Sequence, residues 1–131
     1  MSLSVLVVDD EKKLTDMIAE ALKQFPIFKT VICSYDGQDA MRKLTNQKFD
    51  IVLLDLSMPK LDGLDVLSHL NEEAKLARTK VIIISGGFTP ENISEAKNFT
   101  NHFLAKPFKI DDLKLKIGQV VKEIQKQVAW K

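Results

Sequence analysis

Reactive or charged residues follow four strand-like apolar runs in this sequence. The most apolar run, Ile51–Leu54, delivers Asp55. The other three runs end at Asp9–Asp10, at Ser85 and at Lys106. In an open parallel sheet, the carboxyl ends of the strands lie along one edge, where ligands bind. We therefore expect three acids, a hydroxyl and a lysine to meet in one site.

Three carboxylates at one edge would repel one another. Two unit charges about 4 Å apart repel by about 4 kcal/mol at an effective dielectric constant near 20. Such a cluster must stay partly protonated, pair with a cation or bind a metal ion. Lys106 supplies one positive charge. Mg²⁺, which prefers oxygen ligands, would supply the remaining positive charge that the cluster needs. The chain has one Cys and two His residues and no cluster of them, which argues against zinc.

Each motif also has a purely structural explanation when it is taken alone. Asp9–Asp10 could cap the first helix, with Glu11 complementing the helix dipole. Asp55, Ser85 and Lys106 could be ordinary turn residues. Their joint placement after four strand-like runs favours a functional site over these explanations.

Strand and helix patterns alternate along the whole chain. Apolar runs predict five strands, at 3–8, 29–34, from 51, at 80–84 and at 102–105. Apolar residues three and four positions apart predict five helices, at 14–25, around 40–44, at 64–70, from 90 to about 99 and from 110 to about 128. The fold class predicted from this alternation is α/β, a doubly wound parallel sheet with helices on both faces.

Length and composition fit a single domain. The 131 residues suffice for one sizeable core, which we place at about 3–125, with 126–131 as an extended last helix or the start of a linker. The formal charge of +1 argues against direct nucleic acid binding by this chain. We expect the single cysteine, Cys33, to be a buried, inert thiol in a strand. No stretch has the length of a membrane span and no signal peptide is evident, so we expect a cytoplasmic protein.

The chain resembles the receiver domain of bacterial two-component response regulators, of the chemotaxis-regulator type. The matching segments are Val7–Glu11, Leu54–Pro59, Asp62–Gly63, Ile84–Gly86 and Ala105–Phe108. They match in order and spacing, and the resemblance covers nearly the whole chain. It implies a flavodoxin-like fold with strand order 2-1-3-4-5.

By position, the resemblance implies that Asp55 is the phosphoacceptor, which attacks the phosphorus of a phosphohistidine. Asp10, Asp55 and the backbone carbonyl of Ser57 would bind Mg²⁺ directly, and Asp9 would act through water. Phosphoryl transfer suits such a site because it needs in-line positioning and charge neutralisation.

The resemblance also implies a switch. Ser85 and Lys106 would bind the phosphoryl group, and the Lys106–Pro107 peptide bond would be cis. Movement of Ser85 would leave space for Phe103 to turn inward, although Phe103 could instead be plain core. The surface formed by the helix at 90–99, the last strand and the last helix would then change shape.

The partners implied are a sensor histidine kinase or phosphotransfer protein as donor and a downstream effector protein or domain at the switch surface. A homodimer is also possible. No membrane is involved, and the chain would be no enzyme beyond catalysing its own phosphorylation and dephosphorylation. The cognate kinase, the output and the lifetime of the acyl phosphate stay open.

Three other functions compete with this interpretation. One alternative, which the sequence leaves open, is a receiver-like interaction module that is never phosphorylated. An aspartyl-phosphate phosphatase of the haloacid-dehalogenase type would need a second Asp where this chain has Ser57. A flavodoxin would need a phosphate-binding loop after the first strand, where Asp9–Glu11 would repel phosphate.

Overall fold

The computed structural model describes residues 2–56, 65–66, 68 and 79–129. Within these ranges the chain forms five strands and four helices, which we number in chain order. They are β1 Leu3–Val8, α1 Lys12–Lys23, β2 Phe28–Ser34, α2 Gly37–Asn46, β3 Ile51–Asp55, β4 Lys80–Ser85, α3 Pro90–Ala96, β5 His102–Ala105 and α4 Ile110–Ala129. The helix predicted at 64–70 falls on a stretch of which only residues 65, 66 and 68 are described, and Ser57 lies outside the described residues.

The five strands form one parallel sheet in the order β2-β1-β3-β4-β5. The predicted fold class and the strand order implied by the resemblance are therefore confirmed. In β3, Ile51 to Leu54 are all fully buried, as expected for a central strand covered on both faces. The sheet thus brings the ends of β1, β3 and β4 side by side.

The alternation of side chains along each strand divides the core into two layers. Val5 and Val7 pack in the layer covered by α1 and α4, whereas Leu6 and Val8 pack in the layer covered by α2 and α3. This is the period of two that a strand imposes. Both faces of the sheet are therefore covered by helices, which leaves the strand ends as the accessible edge.

The start of α3 agrees with the sequence signal. Thr89 caps the helix, Pro90 occupies its first turn, and Thr89 and Asn92 form a reciprocal capping box. The helix ends at Ala96 rather than near Phe99, because the Phe99 N–H bonds to the Ala96 carbonyl in a tighter turn. Ala96 is its buried residue, so few apolar contacts anchor this helix.

Cys33 is only half-buried, not fully buried as predicted. The reason is that β2 is an edge strand of the sheet. Burial nevertheless raises the pKa of the Cys33 thiol, which keeps the thiolate form scarce. No helix in the described part of the chain has both the length and the apolar character needed to cross a membrane.

Asp39 fastens α2 to the end of β2. Its carboxylate accepts a hydrogen bond from Ser34 Oγ at 2.7 Å and pairs with Lys43 Nζ at 2.8 Å and Arg42 at 2.6 Å. The bond to Lys43, helped by Ser34 and Arg42, outweighs partial burial and lowers the pKa of Asp39 to about 2. Asp39 therefore contributes stability that is present above its usual pKa and is lost as the pH falls toward 2.

We expect Asp39→Asn to lower the free energy of unfolding by about 1–2 kcal/mol at pH 7, since this partly exposed pair is screened by solvent. The difference from the native protein should shrink between about pH 4 and pH 2, where native Asp39 becomes protonated. Urea unfolding at a series of pH values measures this difference in the free energy of unfolding. Arg42→Ala serves as a control that should cost less, because Arg42 is 69% exposed. A difference independent of pH would contradict an electrostatic origin.

Candidate active site

Three acids converge at the carboxyl edge of the sheet. One carboxylate oxygen from each of Asp9, Asp10 and Asp55 lies within 4.8 Å of the others. The strand register explains this: Val8 pairs with Leu54, so the next residues on the two strands are Asp9 and Asp55. Asp9 is fully buried and Asp55 is 4% exposed, whereas Asp10 is exposed. The cluster predicted from the strand ends is therefore present in the fold.

Local hydrogen bonds fix Asp9 in place. Its Oδ1 accepts from the Glu11 N–H at 3.0 Å, and its carbonyl accepts from Thr15 Oγ1 at 3.0 Å. Its own N–H donates to the Ser34 carbonyl at 3.1 Å. Asp9 thus ties β1, β2 and the residue before α1 together, but it does not cap the helix, because the N-cap position is Glu11. This role is compatible with a second role in the acidic cluster.

Lys106 follows β5 and extends into the acidic cluster. Its Nζ lies 2.8 Å from Asp9 Oδ2, 3.0 Å from Glu11 Oε1 and 3.5 Å from Asp55 Oδ2. Burial alone would lower the pKa of the ammonium group, but the bonds to Asp9 and Glu11 and the charge of Asp55 raise the pKa well above its ordinary value. The Lys106–Pro107 peptide bond is cis. Lys106 is therefore a permanent cation within the site.

Ser85 is the last residue of β4 and is 1% exposed. Its carbonyl accepts from the Lys106 N–H at 2.9 Å, which places the two residues side by side at the edge. Its hydroxyl oxygen accepts from the Gly87 N–H at 3.1 Å. The Ser85 side chain therefore holds the loop that follows β4.

The loop at 86–89 is closed by contacts to α3 and β5. Asn92 Nδ2 donates to the Gly87 carbonyl at 3.2 Å, in addition to its bond with Thr89. The ring of Phe88 packs edge-on against that of half-buried Phe103, with 5.8 Å between the centroids and an interplanar angle of 77°. Phe103 thus lies against the loop that Ser85 holds.

The residues present suit a small, hard divalent cation. The cluster consists only of carboxylates, which are the ligands that Mg²⁺ prefers. Asp9 Oδ2 is buried, and Lys106 Nζ forms an ion pair with it at 2.8 Å. One lysine among three aspartates leaves negative charge for a cation to neutralise. A site for Mg²⁺ therefore fits the chemistry of the cluster.

The sequence analysis missed three contacts of this site. Glu11 was assigned to the helix dipole, but its carboxylate contacts Lys106. Thr15 and Phe88 were not singled out, although they hold Asp9 and Phe103. A sequence signal existed only for Glu11, which directly follows the acid pair. The predicted ligand at Ser57 lies outside the described residues.

The chain is thus a parallel α/β sheet in the order β2-β1-β3-β4-β5 with an acidic cluster and a lysine at its carboxyl edge. Comparison with known proteins specifies the family. Residues 5–118 match the response regulator receiver domain. The chain therefore belongs to the receiver domain family of response regulators and is of the chemotaxis-regulator type.

Relatives and solved structures agree with this family. The chain is 30% identical to a probable chemotaxis protein CheY of Rhizobium etli, over 90% of this chain and 92% of the relative. It is 33% identical to a protein-glutamate methylesterase/protein-glutamine glutaminase 2 of Koribacter versatilis over 79% of this chain, but spans only 28% of that relative's length. The receiver domain of the Francisella response regulator 1452 superposes with a TM-score of 0.79 at 31% identity, covering 94% of this chain and 99% of that one.

Proposed function

We propose that this receiver domain accepts a phosphoryl group on Asp55 from the phosphohistidine of a sensor histidine kinase or phosphotransfer protein. The observation that carries the proposal is the position of Asp55, within 4.8 Å of two other carboxylates and 3.5 Å from a lysine. A nearly buried carboxylate with a cation beside it is suited to attack an anionic phosphorus centre.

In the proposed reaction, an Asp55 carboxylate oxygen forms a bond to phosphorus in line with the donor. The bond between phosphorus and the histidine nitrogen breaks, and its electron pair stays on the imidazole. Lys106 turns toward the phosphoryl oxygens, and the Ser85 hydroxyl donates a hydrogen bond to one of them. Mg²⁺, held by Asp10, Asp55 and the Ser57 carbonyl, with Asp9 acting through water, would neutralise charge on the phosphoryl oxygens.

Ser85 would also start a conformational change when the phosphoryl group binds. The Ser85 hydroxyl oxygen now accepts from the Gly87 N–H. When the hydroxyl turns to the phosphoryl group, this bond is lost and the loop at 86–89 is freed from β4. Phe88 then moves relative to Phe103, and Phe103 turns into the space that Ser85 has left. These movements would alter the surface formed by α3, β5 and α4.

That surface is the proposed contact for a downstream effector protein or domain, or for a second copy of the chain. Few apolar contacts anchor α3, so moving it costs little compared with moving the core. We place the protein in the cytoplasm, where a histidine kinase presents its phosphohistidine. The only reactions that it would catalyse are its own phosphorylation and dephosphorylation.

The test is the intact mass after incubation with acetyl phosphate and Mg²⁺. We expect the native protein to gain one phosphoryl group, and we expect no gain in Asp55→Asn or in the presence of EDTA. Asp111→Asn is the matched control, since Asp111 is an exposed acid on α4, and it should gain the group normally. No gain in the native protein at saturating Mg²⁺ would instead favour an interaction module that is never phosphorylated.

A further inference from the structure

Glu11 occupies the N-cap position of α1 but does not cap the helix. Its backbone is extended and its side chain makes no capping hydrogen bond. The N-cap residues of α2 and α3, Asp36 and Thr89, both cap their helices with their side chains. Glu is not among the residues preferred at this position. Side-chain capping therefore does not explain the identity of residue 11.

The carboxylate of Glu11 instead reaches a residue far along the chain. Glu11 Oε1 lies 3.0 Å from Lys106 Nζ, closer than Asp55 Oδ2 at 3.5 Å. The Glu11 side chain is 62% exposed, whereas that of Asp9, the third partner of Lys106, is fully buried. Lys106 is thus shared between a buried acid, an exposed acid and the proposed phosphoacceptor.

We propose that Glu11 is a positioning residue that competes with the incoming phosphoryl group for Lys106 and slows phosphorylation by anionic donors. The inference rests on the proposed function. To bind a phosphoryl group, Lys106 must give up a carboxylate. Of its two closer partners, Glu11 is easier to release than Asp9, because water can hydrate an exposed carboxylate but not a buried one. The strength of the Glu11 contact then sets how readily the lysine turns to the donor.

Glu11 also adds a negative charge at the solvent-exposed mouth of the site. This charge repels a dianionic donor more than a donor that carries less charge. Glu11 therefore discriminates between phosphodonors, and its influence falls as salt screens the exposed charge. A residue with a merely structural role would affect neither the choice of donor nor the salt dependence.

The test compares Glu11→Gln with the native protein at saturating Mg²⁺, by quenched time courses of the intact mass. With acetyl phosphate, a dianion at neutral pH, we expect Glu11→Gln to react roughly fivefold faster, the factor for one unscreened charge at the mouth of the site. With phosphoramidate, which carries one negative charge fewer, the gain should be smaller. Both gains should shrink in about 0.5 M KCl, where the Debye length is only a few ångströms.

Two control variants accompany this comparison. Glu11→Asp keeps the charge but shortens the side chain by one methylene group and weakens the contact with Lys106, so its rate should lie between those of the native protein and Glu11→Gln. Glu20→Gln makes the same change elsewhere on α1, where Glu20 pairs only loosely with Lys23 at 3.7 Å, and it should leave the rate unchanged. Urea unfolding of each variant checks that the fold is retained.

The proposal is overturned if Glu11→Gln reacts no faster than the native protein with acetyl phosphate, or if Glu20→Gln matches its gain. Equal gains with both donors that salt leaves unchanged would also overturn it. In each of these cases the native protein is still phosphorylated, so the proposed function stands. A native protein that is not phosphorylated by either donor would overturn the proposed function and, with it, this inference.

Discussion

The variant Asp10→Asn is expected to be more stable than the native protein without divalent cations and less stable than it at high Mg²⁺. The cause of the first effect is repulsion, since Asp10 shares a 4.8 Å cluster with Asp9 and Asp55. Lys106 pairs with Asp9, Glu11 and Asp55, so the substitution leaves these ion pairs intact. Because Asp10 is exposed, we expect a gain of about 1–2 kcal/mol, below the value for buried charges.

The second effect follows from binding linkage. A ligand that binds only the folded state stabilises it by about 2.7 kcal/mol at a concentration 100 times its dissociation constant. The native protein should show such an increment with Mg²⁺, whereas Asp10→Asn, having lost a proposed direct ligand, should show far less. The order of the two stabilities therefore reverses between the two conditions.

Urea unfolding followed by circular dichroism, once in EDTA and once at high Mg²⁺, measures both effects. Asp111→Asn is the control, because it removes an exposed acid outside the cluster and should change both values by no more than about 0.5 kcal/mol. A lower stability of Asp10→Asn in EDTA would show that Asp10 serves the fold rather than a metal site. An unchanged Mg²⁺ increment would show that Asp10 is not a ligand.

The sheet could be predicted from the sequence because its strands are strongly apolar. A strand such as β3 is buried on both faces, so it appears in the sequence as a continuous apolar run. The bounds of β4 were predicted within one residue, 80–84 against Lys80–Ser85. The end of α3 was predicted less well, since the turn at Phe99 depends on a backbone hydrogen bond that leaves no pattern in the sequence.

The residues that form the site were predictable, but the contacts that their side chains make with one another were not. Parallel strands must bring Asp9, Asp55, Ser85 and Lys106 to one edge, and this rule needs only the strand ends. The sequence does not show which carboxylates Lys106 contacts, because this depends on the directions of the side chains. Glu11, for example, lies 95 residues from Lys106 in the chain. The packing of Phe88 against Phe103 likewise depends on a loop whose course the sequence does not specify.

Phe49 is a further residue that the sequence analysis did not single out. It lies between α2 and β3, flanked by Lys48 and Asp50, so no helical or strand periodicity marks it. In the structure it is fully buried in the layer formed with α2, and its carbonyl accepts a hydrogen bond from Thr79 Oγ1 at 2.8 Å. It is among the largest fully buried side chains described, and it supports the start of the strand that carries Asp55.

We expect Phe49→Ala to lower the free energy of unfolding by about 3–5 kcal/mol, since it removes a large buried ring and leaves a cavity. Ile51 and Asp55 are four residues apart on an extended strand, a distance of about 13 Å, so Phe49 and the acidic cluster should contribute independently. The stability that Phe49→Ala gains on adding Mg²⁺ should therefore match the gain of the native protein.

Phe49→Leu is the control, because leucine fills most of the space of the ring. It should lower the free energy of unfolding by less than Phe49→Ala, and it should retain the fold if the alanine variant does not. Urea unfolding with and without Mg²⁺ measures both quantities, and a loss of the Mg²⁺ increment in Phe49→Leu would contradict this independence of core and site.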